Sequence, residues 1–111
     1  MIGHLIKEEE EAVKKVAQKI KELLGSRLLL LELFGSKARG NFRPDSDIDI
    51  FVVVKDKDIA LRDKLYDILF DIDPDYRYRM SLIIYSKFEF EQNIKLRSPF
   101  VENIQQEGVV L

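Results

Sequence analysis

The chain contains no cysteine and only one histidine, His4. The absence of cysteine excludes disulfides, thiol catalysis and cysteine-ligated zinc. A single histidine close to the N-terminus argues against a histidine metal cluster and against a Ser-His triad. Carboxylates, hydroxyls and basic side chains remain for chemistry, and this set of groups suits Mg²⁺ and phosphate.

Long apolar runs and a strong charge imbalance are also absent. No run approaches the roughly 20 apolar residues that a membrane-spanning helix needs, and the N-terminus has no signal-peptide pattern. The net charge of −2 argues against a broad nucleic-acid surface. The chain has 111 residues, 46% of them hydrophobic, which is enough for one domain with a core. We therefore predict a single domain over residues 1–111, without a membrane segment and in the cytoplasm.

The hydrophobic pattern alternates between helical and extended segments and predicts an α+β fold with helices packed against a sheet. Leu28–Phe34 is expected to be a strand buried on both faces. The apolar tail after Gly108 is expected to pack on its own domain. The predicted helices cover residues 4–24, 58–70, 86–96 and 98–107, and the predicted strands cover residues 28–34, 50–54 and the region around 80–84.

Several charged segments are interpreted as structural. The acidic run Lys7–Glu11 is expected to form a solvated helix face, and Asp71–Asp75 a solvated loop. Lys37 and Arg43 are interpreted as surface bases or as partners of a nearby Asp. Asp45 is expected to be a loop residue.

The segment from Gly35 to Val54 carries the chemistry. Residues i and i+2 of a strand point to the same face, so Asp47 and Asp49 project together, with Cα atoms about 6.5 to 7 Å apart. Two adjacent carboxylates favour a bound cation, and hard oxygen ligands suit Mg²⁺. Gly35 and Ser36 form a turn that can bring backbone N–H groups and a hydroxyl to a phosphate. The segment therefore predicts a site for a nucleoside triphosphate with Mg²⁺, or Mn²⁺ in its place.

These residues resemble the signature of the DNA polymerase beta-type nucleotidyltransferases. The similar positions are Gly35-Ser36, Arg39-Gly40, Ser46-Asp47 and Asp49, and the chain length resembles the minimal nucleotidyltransferase group. The resemblance implies a mixed β-sheet of three or four strands with helices packed against it. It also implies transfer of a nucleoside monophosphate to a hydroxyl, with two metal ions held by three carboxylates.

For this chain, the resemblance implies that Asp47 and Asp49 act in catalysis and bind the metal. It assigns nucleotide and phosphate binding to Gly35, Ser36 and Arg39, although Arg39 could equally be an ordinary surface base or ion-pair partner. The family places its third carboxylate at the start of the third strand, and this chain has Ser81 there. A hydroxyl is uncharged and a poor base, so the substitution should weaken the catalytic metal more than the triphosphate-bound one.

Two functions follow from the resemblance. The first is an enzyme that takes ATP and Mg²⁺ and modifies a hydroxyl on a small helical HEPN-type partner, as an antitoxin-like subunit of a toxin–antitoxin system. The alternative is a catalytically weak or inactive subunit that neutralises its partner by complex formation, as a homo- or hetero-oligomer. Nucleic-acid modification is disfavoured by the mild acidity of the chain.

Overall fold

The computed structural model describes residues 2–40 and 47–111, and it describes Ser36 and Arg39 by their backbone only. Within this part of the chain it has five α-helices and four β-strands. The helices are α1 (Lys7–Leu24), α2 (Ser36–Arg39), α3 (Ile59–Ile72), α4 (Lys87–Lys95) and α5 (Pro99–Glu107), and the strands are β1 (Leu28–Phe34), β2 (Ile48–Val54), β3 (Met80–Ser86) and β4 (Val109–Val110).

The four strands form one mixed sheet with the order β3-β2-β1-β4. Strand β2 is antiparallel to β1 and parallel to β3, and β4 is antiparallel to β1. This arrangement confirms the predicted α+β class with a mixed sheet. The C-terminal tail also packs on its own domain, as predicted, because β4 pairs with Glu32 and Leu33 of β1.

Alternate residues of β2 enter two separate cores. Its even-numbered residues, from Ile48 to Val54, are buried in the core that contains the apolar faces of α1 and α3. Its odd-numbered residues Phe51 and Val53 enter an aromatic core with side chains from α4 and α5. Because Asp49 shares the parity of Phe51, its carboxylate lies on the aromatic side of the sheet.

Helix starts follow the local capping chemistry. The Asp58 carboxylate accepts a hydrogen bond from the Leu61 N–H at 2.7 Å. Ser86 and Glu89 form a capping box, in which the Ser86 hydroxyl accepts from the Glu89 N–H at 3.1 Å and the Glu89 carboxylate accepts from the Ser86 N–H at 3.0 Å. Ser98 is the N-cap of α5 and Pro99 is its first residue, as the sequence predicts, but the Ser98 hydroxyl makes no capping hydrogen bond.

Two predictions about burial are wrong. Strand β1 is not fully buried on both faces, because Leu31 and Leu33 are buried in one core whereas Leu30 and Phe34 are only half-buried against the other, and Leu29 is 43% exposed. Asp73 is not solvated. Its carboxylate is buried and accepts hydrogen bonds from the N–H groups of Arg77 and Tyr78 at 2.7 and 2.9 Å, which holds the turn before β3.

Strand β3 forms one edge of the sheet, and two of its carbonyl groups accept hydrogen bonds from side chains. The Lys57 ammonium donates to the Ile84 carbonyl, and the Tyr66 hydroxyl donates to the Leu82 carbonyl, both at 3.0 Å. These acceptors are therefore satisfied without another strand.

Glu32 of β1 carries a buried carboxylate oxygen. Its Oε2 atom has no hydrogen-bond partner among the described residues and lies against Gly108, where a Cβ atom would collide with it. Burial raises the pKa of the Glu32 carboxyl above its ordinary value of 4.5. The carboxylate therefore destabilises the fold when it is ionised.

We expect Glu32→Gln to stabilise the protein at pH 7 by about 1 kcal/mol, because it removes an unpaired buried charge. The pKa of Glu32 is higher in the folded state than its ordinary value of 4.5. The wild type is therefore not destabilised by this group below pH 4.5, where the carboxyl is neutral, and it loses stability as the pH rises through the folded-state pKa. Urea unfolding at pH 4 and pH 7 checks this. The gain should nearly vanish at pH 4, and an equal gain in the exposed control Glu11→Gln would contradict it.

Crossing a membrane requires a helix that is both long and apolar. None of the described helices combines the two properties to that degree.

Candidate active site

Some of the predicted site residues meet where β1 ends and where β2 and β3 begin. In the sheet register, Asp49 of β2 faces Phe34 of β1 on one side and Ser81 of β3 on the other. Gly35 follows β1 directly and leads into α2. The topology therefore brings Gly35, Asp49 and Ser81 together at the end of the sheet where β1 terminates.

Gly35 is in direct contact with the Asp49 carboxylate. A Cβ atom at position 35 would lie 2.5 Å from Asp49 Oδ2, so any side chain there would displace this carboxylate. The φ angle of Gly35 is +80°, a conformation that also favours glycine. The predicted reason for this glycine was close approach to a phosphate, and the structure adds close approach to a carboxylate.

Ser81 lies next to Asp49, where the resemblance implies a third carboxylate. Its hydroxyl donates a hydrogen bond to Asp49 Oδ1 at 2.9 Å. Asp49 thus has one oxygen against the Gly35 backbone and the other bonded to a neutral hydroxyl. Within the described ranges no three His, Cys, Asp or Glu side chains form a group that could hold a metal ion.

Asp47 contacts a residue that sequence reasoning missed, Arg79. The Arg79 Nε donates to Asp47 Oδ1 at 2.8 Å, and both side chains are about half exposed. The Arg79 carbonyl accepts from the Ile48 N–H at 3.2 Å, and its φ angle of +52° is unusual for a side chain of this size. The guanidinium therefore supplies positive charge to a carboxylate that was predicted to bind a cation.

Lys37 of α2 is buried and turned towards α1. Its ammonium lies 3.1 Å from Glu9 Oε2 and 3.3 Å from Glu9 Oε1, and the two side chains are 1% and 9% exposed. The interpretation of Lys37 as an ion-pair partner is correct, but its partner is Glu9 and not an Asp. The prediction of a solvated face for Lys7–Glu11 is wrong at Glu9, because a residue 28 positions away covers it.

Part of the predicted phosphate site cannot be placed. Ser36 and Arg39 belong to α2, but their side chains lie outside the described residues. Arg43, Asp45 and the Ser46 of the signature lie outside them as well.

The oxygen ligands among the described site residues suit a hard cation. Asp47 and Asp49 supply carboxylate oxygens from positions i and i+2, and Ser81 supplies a hydroxyl oxygen beside Asp49. Mg²⁺ is commonly bound by one or two carboxylates together with water and phosphate oxygens. These side chains could therefore hold one such ion together with a triphosphate.

This combination of strand-end carboxylates and a glycine turn agrees with a comparison to known protein families. The nucleotidyltransferase domain matches residues 13–111 of the chain. The chain belongs to the nucleotidyltransferase domain family. The match covers β1, the glycine turn, both carboxylates and Ser81, so the described site lies within the part of the chain that the family shares.

Two proteins of Methanocaldococcus jannaschii are similar over nearly the whole chain. Both bear the name "putative protein adenylyltransferase". One is 32% identical over 105 residues, which are 93% of this chain and 97% of that protein. The other is 28% identical over 100 residues, covering 89% and 94% of the two chains.

A solved structure gives independent support for the fold. It is a crystal structure of a toxin-antitoxin with AMP-PNP, and one of its chains aligns with this chain at a TM-score of 0.51. The alignment covers 84% of this chain and 67% of the other, at 24% identity. At this level of identity the likeness concerns the fold alone.

Proposed function

We propose that this nucleotidyltransferase binds ATP with Mg²⁺ and transfers the AMP moiety to a hydroxyl group on a protein. The observation that carries the proposal is the position of Asp49, which lies between the Gly35 backbone and the Ser81 hydroxyl. The choice of ATP and of a protein acceptor is supported by the names of the two relatives that match almost end to end.

Each residue has a distinct role in the proposed reaction. The Gly35-Ser36 turn offers N–H groups to the phosphates, and Arg39 offsets their charge. Asp47 and Asp49 would hold Mg²⁺, which when bound would neutralise part of the triphosphate charge. The acceptor hydroxyl oxygen bonds to the α-phosphorus, the bond between the α- and β-phosphates breaks, pyrophosphate leaves, and the hydroxyl proton passes to water.

A further cation lies next to the proposed metal ligands. The Arg79 Nε donates to Oδ1 of Asp47, the carboxylate that is proposed to bind Mg²⁺, and the other oxygen of this carboxylate would still be able to bind a metal ion. A guanidinium in this position is suited to a triphosphate oxygen. Arg79 thus adds a cation that can neutralise phosphate charge.

We further propose that the acceptor is a HEPN-type helical protein and that the chain acts as the antitoxin-like subunit. The proposal rests on the resemblance to minimal nucleotidyltransferases and on the protein acceptor in the relatives' names. The alternative is a subunit that neutralises its partner by binding without turnover. The Ser81–Asp49 hydrogen bond favours this alternative, because a hydroxyl replaces the third metal-binding carboxylate.

Calorimetry with ATP and millimolar Mg²⁺ tests the proposed nucleotide site. We expect the wild type to bind and the double variant Asp47→Asn, Asp49→Asn to lose Mg²⁺-dependent binding by at least roughly tenfold, because both metal ligands lose their charge. The matched control Asp63→Asn, Asp67→Asn removes two exposed charges from α3 and should bind like the wild type.

Two results would decide against the proposal. If the wild type shows no binding, or if the double variant binds as well as the wild type, these carboxylates do not form an ATP–Mg²⁺ site. Labelled ATP then separates the two functions. Transfer of label to a HEPN-type partner supports the enzyme, whereas neutralisation of the partner that survives in the double variant supports the binding subunit.

A further inference from the structure

A small cavity opens beside the candidate active site. It measures about 160 Å³ and lies between the end of β1 and α5. Its lining consists of Phe34, Gly35, Phe100, Asn103, Ile104 and Glu107. Gly35 is shared with the active site, where it contacts the Asp49 carboxylate, and Phe34 is the strand partner of Asp49. The cavity thus shares Gly35 with the proposed triphosphate site.

The walls of the cavity are held by the aromatic core. Phe34 and Phe100 meet edge to face with ring centroids 5.5 Å apart, and both rings also contact Phe51 in the centre of the sheet. Ile104 is almost completely buried beneath them. The cavity therefore has preformed apolar walls, which is typical of sites for planar rings.

Two polar residues complete the cavity from one face of α5. Asn103 and Glu107 are four residues apart, so both project from the same side of the helix. The Asn103 amide offers both a donor and an acceptor. These groups favour a neutral ring with hydrogen-bonding edges inside the cavity and leave the phosphates on the Gly35 side.

We propose that this cavity binds the nucleobase of the substrate and that Asn103 selects adenine. The volume is below the roughly 300 Å³ of pockets that enclose whole drug-sized ligands, so it accommodates one ring system. An asparagine amide pairs with N6 and N7 of adenine through two hydrogen bonds. Guanine places an acceptor oxygen where adenine has its amino group, and this oxygen would face the amide oxygen of Asn103.

Larger hollows beside α3 are poorer candidates for this role. One is lined by residues from Lys57 to Tyr66 and by β3, a second by residues between Tyr66 and Met80, and a third by residues of α1 and α3. None of the three has Gly35, Asp47 or Asp49 in its lining.

The inference rests on the proposed function, and the test separates the two. Binding of ATP, GTP and inorganic tripolyphosphate, each with Mg²⁺, is measured by calorimetry for the wild type, Asn103→Leu and the control Gln105→Leu. Gln105 is an exposed amide of the same helix that does not line the cavity. A bidentate amide–adenine pair corresponds to a roughly tenfold preference or more.

We expect the wild type to prefer ATP over GTP by about tenfold. Asn103→Leu should lose this preference by weakening ATP, with tripolyphosphate binding unchanged, and Gln105→Leu should behave as the wild type. An Asn103→Leu protein that keeps both its ATP affinity and its preference for ATP overturns the inference and leaves the proposed function intact. Absence of binding to all three ligands in the wild type overturns both.

A second measurement needs no substitution. The side-chain amide protons of Asn103 should shift in NMR spectra when ATP is added with Mg²⁺, and should not shift with tripolyphosphate. Equal shifts with both ligands, or none with ATP at saturation, would place the base elsewhere and contradict the proposal.

Discussion

Lys37→Met is expected to lower the free energy of unfolding by roughly 3 to 5 kcal/mol, the cost of breaking a buried ion pair by removing one partner. Methionine keeps most of the volume of the lysine side chain but leaves the Glu9 carboxylate buried without its cation. Chemical denaturation at pH 7 and 25 °C measures the effect. A loss below 1 kcal/mol would show that the pair is solvated in solution.

The double variant Glu9→Gln, Lys37→Met separates the lost attraction from the stranded charge. Because both charges are then absent, most of the lost stability should return. Lys19→Met is the matched control. Lys19 lies 3.8 Å from Glu22 with both side chains more than half exposed, so this change should cost less than about 1 kcal/mol.

The Lys37–Glu9 pair also matters for the active site. Lys37 belongs to α2, the turn of helix that follows Gly35, and its carbonyl accepts from the His4 N–H at 2.9 Å. The proposed phosphate-binding turn is therefore held to α1 by the Lys37–Glu9 ion pair and to the N-terminal segment by the backbone hydrogen bond from His4. In Lys37→Met we expect weaker binding of ATP in addition to lower stability.

Ser81→Asp is expected to strengthen Mg²⁺ binding and to speed nucleotidyl transfer by on the order of 10- to 100-fold. The substitution places a third carboxylate beside Asp49, to which the Ser81 hydroxyl is now bonded at 2.9 Å. Without metal the added charge repels Asp49, so the apo variant should melt at a lower temperature than the wild type. With excess Mg²⁺ the order should reverse, because the cation binds the larger negative charge more tightly.

Thermal melts across a Mg²⁺ titration and release of pyrophosphate from ATP in the presence of the partner check this prediction. Ser81→Asn is the control, since it has nearly the shape of aspartate without its charge, and it should not accelerate the reaction. Equal rates for the wild type and Ser81→Asp in saturating Mg²⁺ would mean that the chemistry does not use an acid at position 81.

Local signals predicted much of the fold. Asp58 and Ser86 cap helices because their side chains reach N–H groups only three residues away, and that geometry can be read from adjacent residues. The helix that begins at Pro99 ends before Gly108, as the pattern indicated. The first helix begins at Lys7 and not at residue 4, because the preceding residues bond instead to α1 and α2, as in the contact from Ile2 N–H to the Glu10 carboxylate.

The contacts that the sequence could not reveal join residues far apart in the chain. Glu9 meets Lys37, and Asp47 meets Arg79, across separations of 28 and 32 residues. The acidic run Lys7–Glu11 has the sequence of a solvated helix face, and only the packing of α2 against it buries Glu9. Arg79 had one signal, its place just before β3, but only the register of β2 and β3 brings it to Asp47.

The candidate site also combines residues that the sequence indicated with residues that only the packing reveals. The spacing of Gly35, Asp47 and Asp49 indicated the chemistry, and the resemblance located Ser81 on the next strand. Asn103 had no sequence signal, because its relevance depends on how α5 packs against the end of β1. The site was predictable where it follows one strand and unpredictable where it depends on packing between elements.

The covered edge of the sheet limits how copies of the protein, or a partner, can associate. An incoming strand would need the Leu82 and Ile84 carbonyls, which are already bonded to Tyr66 and Lys57. Sheet extension across β3 would therefore have to displace both donors, which protects the protein against edge-to-edge aggregation. A partner that binds on this side should contact side chains and not continue the sheet.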